Sequence, residues 1–153
     1  MSVFAQPRRP LLSSADRADA LTAGLAVLAA YHLALAIFMA AAPHAFFTAV
    51  GPFGVSNVHY IRDTATFNAA IGIGFVVAVR HGGWRVPMLT VALIQFALHS
   101  VNHLIDIANA HPAWTGYFDF FALALSTVLI AWLLRTALAG RARDLATPER
   151  RQP

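Results

Sequence analysis

The sequence predicts an all-α integral membrane protein, a four-helix bundle with its N- and C-termini in the cytoplasm, and three observations predict it. Hydrophobic residues make up 58% of the 153 residues and charged residues only 12%, with a mean hydropathy of +0.60, which lies outside the range of soluble globular domains. Four apolar runs, at about 21–42, 58–80, 86–108 and 116–138, each approach the roughly 20 residues that a helix needs to cross the hydrocarbon core. The basic residues, finally, collect in alternate connections.

The first run, LTAGLAVLAAYHLALAIFMAAA, follows an arginine-bearing segment at 1–19. It is longer than the roughly 7–15 apolar residues of a secretory signal, so it reads as a retained first helix. Ser13 and Asp16 have the spacing of a capping box and would start that helix before the membrane. Next comes PHAFFTAVGPFGVSN at 43–57, too long for a minimal hairpin. Its PHAFFTAV part reads as a short interfacial helix and GPFG as a turn, together a lid or a connection lying in the headgroups. The second run contains Gly72 and Gly74, small residues that let helices approach closely. Past the fourth run, residues 139–153 are charged and Pro-containing and read as a disordered cytoplasmic tail.

All eleven basic residues are arginine. Arg8, Arg9 and Arg17 precede the first run, Arg80 and Arg85 flank the second connection, and Arg135, Arg141, Arg143, Arg150 and Arg151 end or follow the fourth run. The other two connections contain none, so the positive-inside rule places both termini in the cytoplasm. Trp84 and Trp132 then fall at the inner interface, and Tyr60, Trp114 and Tyr117 at the outer one. A sequence pI of about 10.7 comes from this topological arginine and not from a nucleic-acid site. Without cysteine the chain has neither disulfides nor thiolate ligands.

Polar residues inside the runs share one depth. At 1.5 Å per residue, His99 lies about 3 Å outside the midplane, His103 about 9 Å, Asp106 about 13 Å, Asp63 about 9 Å, Arg62 about 10 Å, His59 about 15 Å and Asp119 about 12 Å. Gln95, His99, Asn102, His103 and Asp106 form one stripe of a 3.6-residue helix, and His59, Arg62, Asp63 and Thr66 form another. Lipid cannot solvate such groups, so both stripes are expected to face inward and line one outward-opening pocket with Asp119.

Arg62 faces three carboxylates, Asp63, Asp106 and Asp119, so the layer needs a protonated histidine, a protonated carboxylate or a bound cation. His99, His103 and Asp106 supply N and O donors for a divalent ion such as Zn, Cu or Fe, with His59 or Asp63 as a further ligand. His32 and His99, nearest the midplane, would instead serve as axial ligands of a b-type haem. His103 and Asp106 would also suit proton transfer on an apolar substrate, although no motif specifies a reaction. A purely structural alternative has Arg62 bonding Asp106 or Asp119 across helices, in a membrane scaffold or assembly subunit.

The NVHYIRD segment heads the second helix behind an aromatic, Gly/Pro-rich outer segment, and with an uncharged first helix this resembles the DoxX-like superfamily of small four-helix membrane proteins. The likeness spans residues 20–138 and rests on that architecture and on Tyr60, Arg62 and Asp63. It implies a multi-pass protein of the bacterial cytoplasmic membrane, in a group that includes membrane subunits of quinone-linked sulfur oxidation. Within that frame the expected role is to bind a quinone-like molecule or a metal ion in an envelope redox or stress system. The expected partners are the lipid bilayer and either further copies of the chain or a membrane complex.

Overall fold

The structure, a computed structural model, describes residues 13–146. Residues 1–12, with Arg8 and Arg9, and residues 147–153 of the expected tail, with Arg150 and Arg151, lie outside the described residues.

Five α-helices form: α1 (Ser14–Ala41), α2 (Pro43–Ala49), α3 (Val58–Arg80), α4 (Arg85–Ile105) and α5 (Ala113–Ala146), with a 3-10 turn at Gly82–Trp84. The predicted four-helix bundle is therefore corrected. Among the described residues there are five α-helices, and three segments are long and apolar enough to cross a membrane, Ala15–Ala41, Gly82–Ile105 and Ala113–Ala146. These three are consistent with a multi-pass membrane protein. Two physical causes account for the correction. Pro43 sits in the first turn of α2, where its missing N–H costs nothing, and nucleates a separate short helix. The 23-residue α3 has spanning length, but Arg62 and Asp63 near its start and Arg80 at its end dilute its apolar content.

Local sequence accounts for the helix ends. Ser13 and Asp16 close a reciprocal capping box on α1, with Asp16 N–H donating to Ser13 Oγ at 3.1 Å and Ser13 N–H donating to Asp16 Oδ2 at 3.0 Å. Asn57 Oδ1 accepts from the backbone N–H groups of His59 at 3.1 Å and Tyr60 at 3.3 Å, which starts α3. At the far end of α3, Arg85 donates to the carbonyls of Ala78 at 3.3 Å and Val79 at 3.4 Å, last-turn acceptors on α3.

Leu25 of α1, Phe75 of α3, Leu89 of α4 and Ile130 of α5 are the largest fully buried side chains and mark where the long helices converge. Small residues permit this approach. A Cβ on Gly24 would meet Leu133, one on Gly72 would meet Leu33, and one on Gly74 would meet Met88. From Asn68 to Gly72 along α3 the partner on α1 falls from Met39 to Leu33, so α1 and α3 run antiparallel. Beyond this region α3 packs mainly on α1, and α4 mainly on α5. The segment after α2 crosses to the segment after α4, where Phe53 bridges Ala110 and His111 N–H donates to the Pro52 carbonyl at 3.3 Å.

Candidate ligand site at the His99–His103 pair

His99 and His103 stand one turn apart on α4, which aligns their side chains. Their Nε2 atoms approach to 3.1 Å, with ring centroids 4.7 Å apart. Gln95, a further turn back, lies with its Nε2 3.4 Å from His99 Nδ1. The Phe53 ring meets His103 edge-on at a centroid distance of 5.0 Å, so the segment after α2 reaches His103. His103 is half-buried and His99 is exposed.

Asp119, half-buried on α5, lies within electrostatic reach of both His103 and Tyr31 of α1. His103 Nδ1 and Asp119 Oδ2 are both buried without a hydrogen-bond partner. Each is a polar atom left open at a depth where that is costly. Direct contacts thus join His99, His103, Gln95 and Phe53, while Asp119 and, through it, Tyr31 lie within electrostatic reach. Tyr31 and Phe53 were not among the expected site residues. Tyr31 adjoins His32 near the middle of the first run and carried no signal of its own, and Phe53 is brought in only by the loop crossing at Ala110.

Asp106 does not join the pair. The helix ends at Ile105, not at 108, and Asp106 becomes its C-cap residue, with its N–H donating to Asn102 O at 3.1 Å. Its Oδ1 accepts from Asn109 Nδ2 at 2.9 Å, so the carboxylate leaves the helical stripe. With Asn109 and His111 it lines a separate open depression of about 660 Å³ beneath Phe53 and Val55. Among the described residues no three His, Asp or Glu side chains assemble as a ready metal-holding group, which corrects the expected His99, His103 and Asp106 triad.

The α3 stripe also lies apart. His59 Nε2 pairs with Asp63 Oδ2 at 3.4 Å, both exposed, and Arg62 is exposed with no hydrogen bond or ion pair among the described residues. Thr66 and, on α4, Gln95 and Asn102 are exposed as well. The expected inward orientation of both stripes is therefore corrected, because α3 turns its opposite face to α1 and α4 turns Leu89, Ala92, Phe96 and Ser100 inward. The crosslink expected of a scaffold, Arg62 to Asp106 or Asp119, is not formed.

His32 belongs to the core. It is 5% exposed, stacked on Phe75 at 5.9 Å and met edge-on by Phe96 at 5.8 Å and Tyr31 at 5.1 Å. Its Nδ1 lies 2.9 Å from Asn68 Oδ1, while Asn68 Nδ2 donates to Thr64 O at 3.0 Å. That orientation of the amide makes His32 Nδ1 the protonated nitrogen. Three rings pack against His32, and its Nε2 is buried without a hydrogen-bond partner among the described residues.

Two imidazole nitrogens bound to one ion at about 2.0–2.1 Å, at angles between octahedral and tetrahedral, lie about 2.9–3.4 Å apart. The 3.1 Å separation of the two Nε2 atoms falls within that span. His103 Nδ1 and Asp119 Oδ2 are the second relevant feature, since a metal-bound imidazole commonly donates its other N–H to a carboxylate. No protein family, curated protein or solved structure matches this chain.

Proposed function

We propose that this chain is a multi-pass protein of the bacterial cytoplasmic membrane, of the DoxX-like kind, that binds a divalent transition-metal ion through His99 and His103 in an envelope redox or stress system. The observation that carries the metal reading is the 3.1 Å Nε2 to Nε2 separation, which suits the bite of a single ion. Family and compartment rest on the likeness of the NVHYIRD segment and its surroundings. His99 and His103 would hold the ion, Asp119 would orient His103, and solvent or a bound ligand would complete the coordination. Imidazole ligands suit Zn, Cu, Fe or Ni. Such an ion would supply Lewis acidity or, for Cu and Fe, electron transfer.

A second reading, a quinone-like headgroup, is favoured by the exposure of His99 and Tyr31 on the apolar surface of the helices. A ligand diffusing in the bilayer would meet a phenol and an imidazole there without crossing a polar interface.

The test is metal content and affinity of full-length protein purified in mild detergent, by elemental analysis and by titration with Co(II). The expected result is a bound ion that is lost in both His99→Ala and His103→Ala. Absence of metal, or equal metal in parent and variants, would overturn the reading.

A further inference from the structure

The outer face of α4 carries a seam. Val91, Gln95, Leu98, Asn102 and Ile105 follow one another at alternating intervals of four and three, the spacing of a two-helix contact. All five are exposed, Leu98 by 67% and Ile105 by 74%, while the opposite face of α4 is buried in the fold. Met88, one turn before Val91, still packs on Gly74 of α3, so the free face begins where α3 departs.

Polar residues on this face make exposure to lipid alone unfavourable. Gln95 lies within about 3 Å of the midpoint of the Gly82–Ile105 span. Its amide reaches only His99, and the Asn102 side chain has no hydrogen bond among the described residues. Hydrocarbon offers no partner for either group.

We infer that the Val91–Ile105 face of α4 is a parallel interface with a second copy of this chain. Two copies inserted in the same orientation are related by an axis along the membrane normal, so their α4 helices run parallel and each seam position meets its own counterpart. A carboxamide both donates and accepts, so Gln95 and Asn102 are complementary to themselves across such an axis. Val91, Leu98 and Ile105 would alternate with them as the packing residues. A buried Asn at this kind of position fixes register in paired helices. The inference is independent of metal at His99 and His103, which flank the seam.

The chain has no cysteine, which allows a direct test in native membranes. Single substitutions Val91→Cys, Leu98→Cys and Ile105→Cys, followed by mild oxidation, are expected to give a disulfide-linked product of twice the chain mass. Thr90→Cys and Leu104→Cys, one residue out of phase and also exposed, are expected to give only background. In the Leu98→Cys background, Gln95→Leu with Asn102→Leu should weaken association about tenfold, because apolar side chains gain nothing by leaving lipid. Crosslinking at all five positions alike, at none of them, or to a product of another mass would overturn the inference. So would stronger crosslinking in the doubly substituted variant.

Discussion

His103 Nδ1 and Asp119 Oδ2 are buried polar atoms on neighbouring helices, each without a hydrogen-bond partner among the described residues, and the carboxylate lies within electrostatic reach of the imidazole. If His103 Nε2 holds an ion, its Nδ1 carries the proton and needs an acceptor at this place. Asp119→Asn removes the charge and keeps the volume. The expected outcome is a metal affinity about 10–100-fold lower with the stoichiometry of the parent, read by Co(II) titration. An unchanged affinity would separate Asp119 from the site.

Phe53 gives a kinetic prediction. Its ring stands edge-on to His103 and is held by the bridge between Phe53 and Ala110, so it covers His103 from the loop side. Phe53→Ala is expected to speed metal removal by a chelator while leaving the number of bound ions unchanged. Stopped-flow measurement of a Co(II) absorbance would show it. Equal release rates in parent and variant would mean that the ion leaves by another route, past the exposed His99.

The difference between what was legible in the sequence and what was not has a physical pattern. Membrane character follows from composition, and the α1 capping box from the Ser13 and Asp16 spacing, because both are local properties. The pairing of His99 with His103 was likewise legible, being fixed within one helical turn. Orientation of the stripes was not. Whether Gln95 and Asn102 face the fold or the bilayer depends on which face of α4 meets α5, and the sequence places polar groups on a face without stating what covers it. Asp106 was misplaced because a stripe extrapolated at 3.6 residues per turn assumes that the helix continues, and α4 ends one residue earlier. The Asn68 contact to His32 joins residues 36 apart and had no local signature.

That contact yields an asymmetric prediction. Asn68→Ala leaves His32 Nδ1–H unpaired among Phe75, Phe96 and Tyr31, a position where an unsatisfied group costs about 1–3 kcal/mol. His32→Phe combined with Asn68→Leu removes donor and acceptor together and keeps an aromatic ring against Phe75. It is expected to be close to neutral or stabilising. Thermal unfolding in detergent, followed by circular dichroism, should rank Asn68→Ala well below both the parent and the double variant. If the double variant falls as far as Asn68→Ala, shape rather than hydrogen bonding decides the site.

Gly116 is the most constrained glycine of the chain. It is buried near the start of α5, and a Cβ there would run into the backbone carbonyl of Ile107 and press on the Ala110 side chain. A side chain such as Met88 beside Gly74 can swing away, whereas a carbonyl can move only with its whole segment. Here the segment is the 106–112 loop, which carries Asp106 and also positions Phe53 through Ala110. Gly116→Ala is therefore expected to destabilise by about 1–3 kcal/mol despite alanine's better helix propensity. It should also loosen the cover over His103 and raise chelator accessibility, as Phe53→Ala does. Gly83→Ala, where a Cβ meets nothing within 4 Å, serves as the control and should leave both properties at parental values. Unfolding temperature and metal release measured on the same three proteins would check the link. A destabilised Gly116→Ala whose metal release matches the parent would show that the loop and the His pair are mechanically separate.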